Sequence, residues 1–302
     1  MEQKRGVLAR VGIALLNLLA PGLGLLRLAR WKLAVTFYAV GLLLILALFF
    51  APPLQFGLFA SAIALGLAAY PASMVATWLL GKSVELPRPW YAQWLSIVGA
   101  ALLSFGINFL ISDESRARYR SFYVPSESMR PTLPTNDRFF AYMQTPMEPQ
   151  RGDILLVRSP SGTTYVTRLV GLPGDEIAVT DGIVILNGKP VAQQFVGTNR
   201  ITGYAGTSTA RRLKEQLPDE AGPHEIYDDG NSAGDHFQTQ RVRPGHVFLL
   251  GDNRDHAADS RFSAEEMGLE QLPVTDILGW PMYHSFGSHR PIGEAINRRN
   301  MQ

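Results

Sequence analysis

From Leu33 to Leu80 the chain carries no charged residue, and from Pro89 to Ser112 it again carries none. Charge-free stretches of this length exceed what one face of a soluble core needs and match a bilayer, whose hydrocarbon layer takes about 20 helical residues to cross. The first block breaks at Ala51-Pro52-Pro53, where proline removes a helical donor and restricts the residue before it. This predicts one span over about 33–50 and a second over about 54–80, with Pro71 as a kink. A third is expected over about 91–111, opening on Trp90, Tyr91 and Trp94 as an interfacial aromatic belt. The apolar run at about 11–26 is interrupted by Ala20-Pro21-Gly22-Leu23-Gly24, and reads as a re-entrant or interfacial hairpin rather than a crossing. A cleaved leader fits this run poorly, because more spans follow it.

The charge balance divides the chain at the same place. Residues 1–112 hold eight Lys or Arg against two acids, leaving twenty basic and twenty-four acidic residues for 113–302. The overall +2 therefore originates in the apolar half, so a cationic face for nucleic acid is not expected. The absence of cysteine excludes a disulfide framework, a thiolate zinc site and a cysteine nucleophile. The six histidines show no His-x-x-x-His spacing, and neither a metal nor another cofactor is expected.

Orientation follows from the basic residues beside the spans. Lys4, Arg5 and Arg10 precede the broken segment, Arg27, Arg30 and Lys32 follow it, and Lys82 and Arg88 separate the second and third spans. Keeping all of these inside sends residues 113–302 to the extracytoplasmic side of the cytoplasmic (inner) membrane, with membrane lipid around 1–112. Arg116, Arg118 and Arg120 run against this placement and are partly offset by Asp113 and Glu114.

After Tyr119 the pattern changes to short runs of Val, Ile, Tyr and Phe punctuated by turn residues, the signature of a β-rich domain. Strands are expected at Arg138–Met143, Ile154–Val157, Thr163–Val170, Glu176–Thr180, Ile183–Leu186 and His246–Leu250, with Asp181-Gly182 and Asn187-Gly188 as hairpin turns. The polar, Gly-rich stretch at about 191–243 is too long for an ordinary connection and reads as an inserted lobe.

Three clusters in this half, taken together, resemble the type I signal peptidase family of membrane-anchored serine-lysine proteases. Pro125-Ser126-Glu127-Ser128-Met129-Arg130-Pro131-Thr132-Leu133 is similar to the family's nucleophile box. Arg151-Gly152-Asp153-Ile154 with Tyr165-Val166-Thr167-Arg168-Leu169-Val170-Gly171-Leu172-Pro173-Gly174-Asp175 is similar to the box that holds the lysine. Gly251-Asp252-Asn253-Arg254-Asp255-His256-Ala257-Ala258-Asp259-Ser260-Arg261 is similar to the closing box. The resemblance implies that residues 113–302 form a mainly-β extracytoplasmic domain of signal-peptidase type with an inserted lobe; it follows the multi-span α-helical membrane region (1–112) that the apolar stretches themselves predict. The resemblance implies an activity too: removal of signal peptides from exported preproteins at the membrane surface, with small pockets for the residues one and three before the cut.

Carried over residue by residue, the resemblance makes Ser128 the nucleophile and Ser126, with the Ser128 N–H, the donors to the oxyanion. Asp259 and Arg261 become a bracing ion pair, Tyr165 packs beside the lysine position, and Met129 belongs to the nucleophile box. The lysine position itself is Thr167, and the serine that orients that lysine is Ala257. A threonine hydroxyl has no basicity with which to accept the serine proton near neutral pH. His256 is the one histidine inside a box, but as the neighbour of Ala257 on an extended segment it is expected to point away from Ser128. Two readings therefore stay open: a serine endopeptidase with a non-standard base, or a catalytically impaired member, a pseudoenzyme that binds or modulates exported chains.

Overall fold

The computed structural model describes residues 2–50, 56–81, 89–143, 149–203, 206–230, 232–285 and 289–297. The Pro52-Pro53 break and the basic residues Lys82 and Arg88, on which the expected orientation partly rests, lie outside the described residues. The chain divides into two compact units, residues 1–117 and 118–302.

The first unit is helical: α1 (Glu2–Leu15), α2 (Leu23–Arg27), α3 (Trp31–Phe50), α4 (Phe56–Leu80) and α5 (Trp94–Arg118). The broken apolar run is a helix from Glu2 onward, nine residues ahead of the expected start, because Gln3, Lys4 and Arg5 are good helix formers whatever their polarity. Its interruption lies where expected. A short 3-10 turn at Leu16–Leu18 leads to Gly22, whose φ of 93° and close approach to the Ala34 backbone admit no side chain. Asn17 is fully buried at the break: its carbonyl oxygen accepts from the N–H groups of Gly22 (2.9 Å) and Gly24 (3.2 Å), and its amide donates to Ala14 O (2.9 Å) and Thr77 Oγ1 (3.0 Å) on α4. One side chain thus satisfies the backbone donors that the broken helix leaves open. Among the described residues one helical window, Ile63–Leu80, is long and apolar enough to cross a membrane; those at Val7–Leu18, Trp31–Leu43 and Trp94–Ile107 are shorter.

The second unit is mainly β. A seven-stranded sheet has the order β1-β2-β14-β3-β4-β12-β13, formed by β1 (Tyr119–Tyr123), β2 (Arg138–Tyr142), β3 (Ile154–Arg158), β4 (Thr164–Gly171), β12 (His246–Leu250), β13 (Leu272–Pro273) and β14 (Ile277–His284). A four-stranded sheet, β11-β5-β6-β7, is built from β5 (Glu176–Thr180), β6 (Ile183–Leu186), β7 (Lys189–Pro190) and β11 (Phe237–Arg241). Asp181, Gly182, Asn187 and Gly188 all have positive φ, as the two tight turns require. Proline is tolerated in β7 because that strand is an edge. Among the described residues, apolar clusters lie around Phe248, Val170 and Ile177, around Met129, Leu133, Phe139 and Leu156, and, in the lobe, around Ile201, Ala210 and Tyr227.

The inserted lobe is more regular and shorter than its sequence suggests. β8 (Ala192–Gly203), β9 (Gly206–Gln216) and β10 (His224–Asp228) form an antiparallel sheet of their own, whereas β11 returns to pair with β5. Polar, exposed strands such as β8 lack the apolar alternation by which strands are read, and their regularity comes from backbone pairing with β9. Central strand β14 also escapes the sequence pattern, because Gly279 and Pro281 interrupt it; register shifts at both residues accommodate them.

Candidate active site

The nucleophile box lies in the loop between β1 and β2. Met129 is 1% exposed and, with Leu133, anchors this loop in the core, which leaves the intervening polar residues at its surface. The hydroxyls of Ser126 and Ser128 lie 3.1 Å apart. The closing box follows β12 and is tied directly to this loop: the Asn253 N–H donates to Ser128 O (2.9 Å), and its side-chain amide donates to Glu127 O (3.0 Å). Behind it Asp259 and Arg261 form a buried two-pronged pair, Nε to Oδ1 at 2.9 Å and Nη2 to Oδ2 at 2.8 Å. Asp259 also accepts from the Gly251 N–H (3.0 Å), and Arg261 donates to Gly234 O (3.2 Å) and to Arg254 O. The pair therefore braces the loop that carries the closing box.

Thr167, on β4 opposite Leu155 of β3, is 2% exposed. Its hydroxyl donates to Leu250 O at 2.9 Å, at the end of β12. The next residue, Gly251, has no room for a side chain: a Cβ placed there would overlap the buried Ala257 methyl and lie 2.7 Å from the Ser128 carbonyl oxygen. Thr167, Ala257 and the Ser128 backbone thus each meet the Leu250-Gly251 junction. Tyr165 shares the strand face of Thr167, and its hydroxyl donates to Met267 O (3.1 Å). His256 presents Nε2 to Asp229 Oδ2 at 2.9 Å and Nδ1 to Glu127 Oε1 at 3.8 Å. Both ring nitrogens thus face carboxylates rather than the Ser128 hydroxyl.

Sequence reading passes over Arg168, Asp252, Glu215 and Glu127, all of which are buried. Arg168 forms a two-pronged pair with Asp252, Nε to Oδ1 and Nη2 to Oδ2, each at 2.7 Å, and donates to Gly152 O (2.7 Å). Thr132 of the nucleophile box donates to the same aspartate. Burial works to raise the Asp252 carboxyl, yet the Arg168 guanidinium holds it below its ordinary value. Glu215, on β9, pairs with Arg254 of the closing box and lies 3.3 Å from His224 Nε2. Burial opposes its ionisation too, but Arg254 and then His224 hold it well below the usual carboxylate range. Spacing in the sequence gives no hint of Glu215, because Arg254 reaches it from the closing box, 39 residues further on. Among the described residues no group of acids and histidines is placed to hold a metal ion.

A family model described as signal peptidase, peptidase S26, matches residues 92–281. Signal peptidase I of Pseudomonas fluorescens is 32% identical over 161 residues, which cover 47% of this chain and 54% of that protein. Signal peptidase I of Rickettsia akari (strain Hartford) is 31% identical over 202 residues, covering 56% of this chain and 71% of that protein. A crystal structure of a signal peptidase I from Enterococcus faecalis matches 45% of this chain and 98% of its own, at 22% identity and a TM-score of 0.28. The chain spans about half the length of the Pseudomonas relative it matches.

Proposed function

Because the chain belongs to the signal peptidase family, peptidase S26, we propose that it is a signal peptidase I-like protein of serine endopeptidase type, whose cleft takes the signal peptides of exported preproteins. We place it in the cytoplasmic (inner) membrane, crossing it with α3, α4 and α5, and assign residues 113–302 to the extracytoplasmic side, as the basic residues beside the helices favour. The observation that carries the functional reading is the junction of two boxes far apart in sequence: Asn253 bonds the Ser128 carbonyl at 2.9 Å and thereby seats the serine pair on the closing box. In this reading Ser128 attacks the scissile carbonyl, and the Ser126 hydroxyl with the Ser128 N–H stabilises the oxyanion.

Proton transfer is where the reading divides. The Thr167 hydroxyl is spent on Leu250 O, and His256 is held between carboxylates, so neither supplies the base that a serine nucleophile needs. These contacts favour a second reading, a groove that retains its substrate but has lost turnover. The deciding experiment incubates the purified chain in detergent with a preprotein, beside a Ser128→Ala control. Cleavage abolished by Ser128→Ala supports the endopeptidase. Binding without cleavage, equal in both proteins, supports the binder, and neither binding nor cleavage removes signal peptides as the substrate.

A further inference from the structure

The residue between the two serines of the nucleophile box is an acid, and it is 7% exposed although it lies on a loop. The Glu127 carboxylate lies against the Cα of Gly203 at the end of β8, so close that a methyl group there would overlap both oxygens. Three residues on, Arg130 faces Glu127 Oε2 at 3.6 Å and donates to Thr202 O at 3.0 Å, beside the same glycine. On the far side, His256 bridges from Glu127 to Asp229, and Asp229 Oδ2 also accepts from Ser208 on β9 at 2.5 Å. The β8–β9 hairpin is thus gripped on both strands, and it closes a pocket of about 50 Å³ against Glu127 and His256.

We propose that Glu127 is a positioning residue that docks the β8–β9 hairpin on the nucleophile box and, through that contact, holds the Ser126–Ser128 hydroxyl pair in place. A buried carboxylate is costly unless paired, and here its partners, Arg130 and His256, both also engage the hairpin lobe or the strand beside it. Releasing the carboxylate therefore loosens the loop and the hairpin together. Gly203 is part of the same device, because only a residue without Cβ lets the backbone approach the acid this closely. The contact holds whether or not Ser128 turns over substrate, and it seats the hairpin against the loop that carries both serines.

The test is a size exchange, read by hydrogen exchange on the full chain in detergent micelles over residues 124–133 and 198–203. Gly203→Ala pushes the carboxylate out and is expected to raise exchange several-fold in both segments. Adding Glu127→Asp draws the carboxylate back by one C–C bond, about 1.5 Å, and is expected to restore protection in both. A glycine that merely shaped the hairpin would not be rescued by shortening an acid on another loop. Faster exchange in the hairpin alone, or no recovery in the double variant, overturns the proposal. Should Gly203→Ala not fold, Glu127→Ala alone serves: unchanged exchange over 198–203 overturns the docking role, and faster exchange in both segments supports it.

Discussion

Asn253 donates to two consecutive carbonyls of the nucleophile box, its N–H to Ser128 at 2.9 Å and its side-chain amide to Glu127 at 3.0 Å. A fully buried asparagine that spans two carbonyls sets both the position and the direction of the backbone leading into the serine. The Ser128 N–H, assigned above to the oxyanion, is aimed by this same stretch of chain. Positioning the serine is therefore a separate problem from activating it, and the two Asn253 bonds bear on the first alone.

Asn253→Ala is expected to remove one of the two donors to the Glu127 carbonyl, leaving the Arg130 N–H (3.1 Å) there and the backbone bond to Ser128. Loss of one such hydrogen bond costs about 0.5–1.5 kcal/mol. Denaturant unfolding of the full chain in micelles measures the loss; a midpoint equal to that of the parent would mean that water replaces the amide there.

Arg261→Met leaves Asp259 buried with its charge uncompensated, and breaking such a pair costs about 3–5 kcal/mol. Combining it with Asp259→Leu is expected to recover most of that loss, because no orphan charge then remains. Thermal unfolding of the two single variants and the double variant decides this, and additive losses would show that the two side chains act independently.

These two residues were reached through the resemblance to the family's closing box, as Ser126 and Ser128 were through its nucleophile box. Helices α3 and α4 and strands β5, β6 and β12 were legible directly, since each is signalled by its own residues. What escaped depends on partners distant in sequence. β8 and β9 are polar and take their regularity from each other, and β14 carries the glycine and proline that argue against a central strand. Glu215 has no local signal at all: its chemistry is supplied by Arg254 and His224. Glu127 lies between two serines with no local signal of burial, and the backbone it packs against, Gly203, comes 76 positions later.

Glu215 also predicts an acid dependence. Its carboxyl lies well below the value near 4.3 expected in the unfolded chain, so the stability it contributes is complete above that value and is lost as pH falls toward its folded value. The difference in stability between the parent and Glu215→Gln should therefore be largest near neutral pH and shrink below about pH 4. A difference that is constant across a thermal-unfolding series from about pH 3 to 7 would show that ionisation of Glu215 is not what Arg254 and His224 stabilise.

In the helical unit Asn17→Ala removes the acceptor for two N–H groups and the donor to Thr77 at once. Each orphaned group costs about 1–3 kcal/mol. Thr77→Val removes one interhelical bond, for which about 0.6 kcal/mol is typical in membrane proteins. The expected order of thermal stability in micelles is parent, Thr77→Val, Asn17→Ala. Equal losses would mean that the Thr77 contact is the main contribution of Asn17 and that the break at Gly22 holds without it.

The last prediction concerns repair of the proton-transfer site. Thr167 and Ala257 both abut the Leu250-Gly251 junction, where Ala257 is packed against Gly251 and the Thr167 hydroxyl is committed to a carbonyl. Thr167→Lys alone places a flexible amine where no side chain holds it, with many rotamers and an ordinary pKa of about 10.4 that keeps it protonated. Ala257→Ser adds a hydroxyl on the same junction that can orient the amine, while burial favours its neutral, basic form. The double variant is therefore expected to cleave a peptide with small residues at the two specificity positions at least about 100-fold faster than either single variant, within the range that a positioned general base contributes. Ser128→Ala in the double variant should return the rate to background. Equal rates in single and double variants would show that a hydroxyl at 257 does not reach an amine at 167, and cleavage by the parent at the rate of the double variant would mean that another base already serves Ser128.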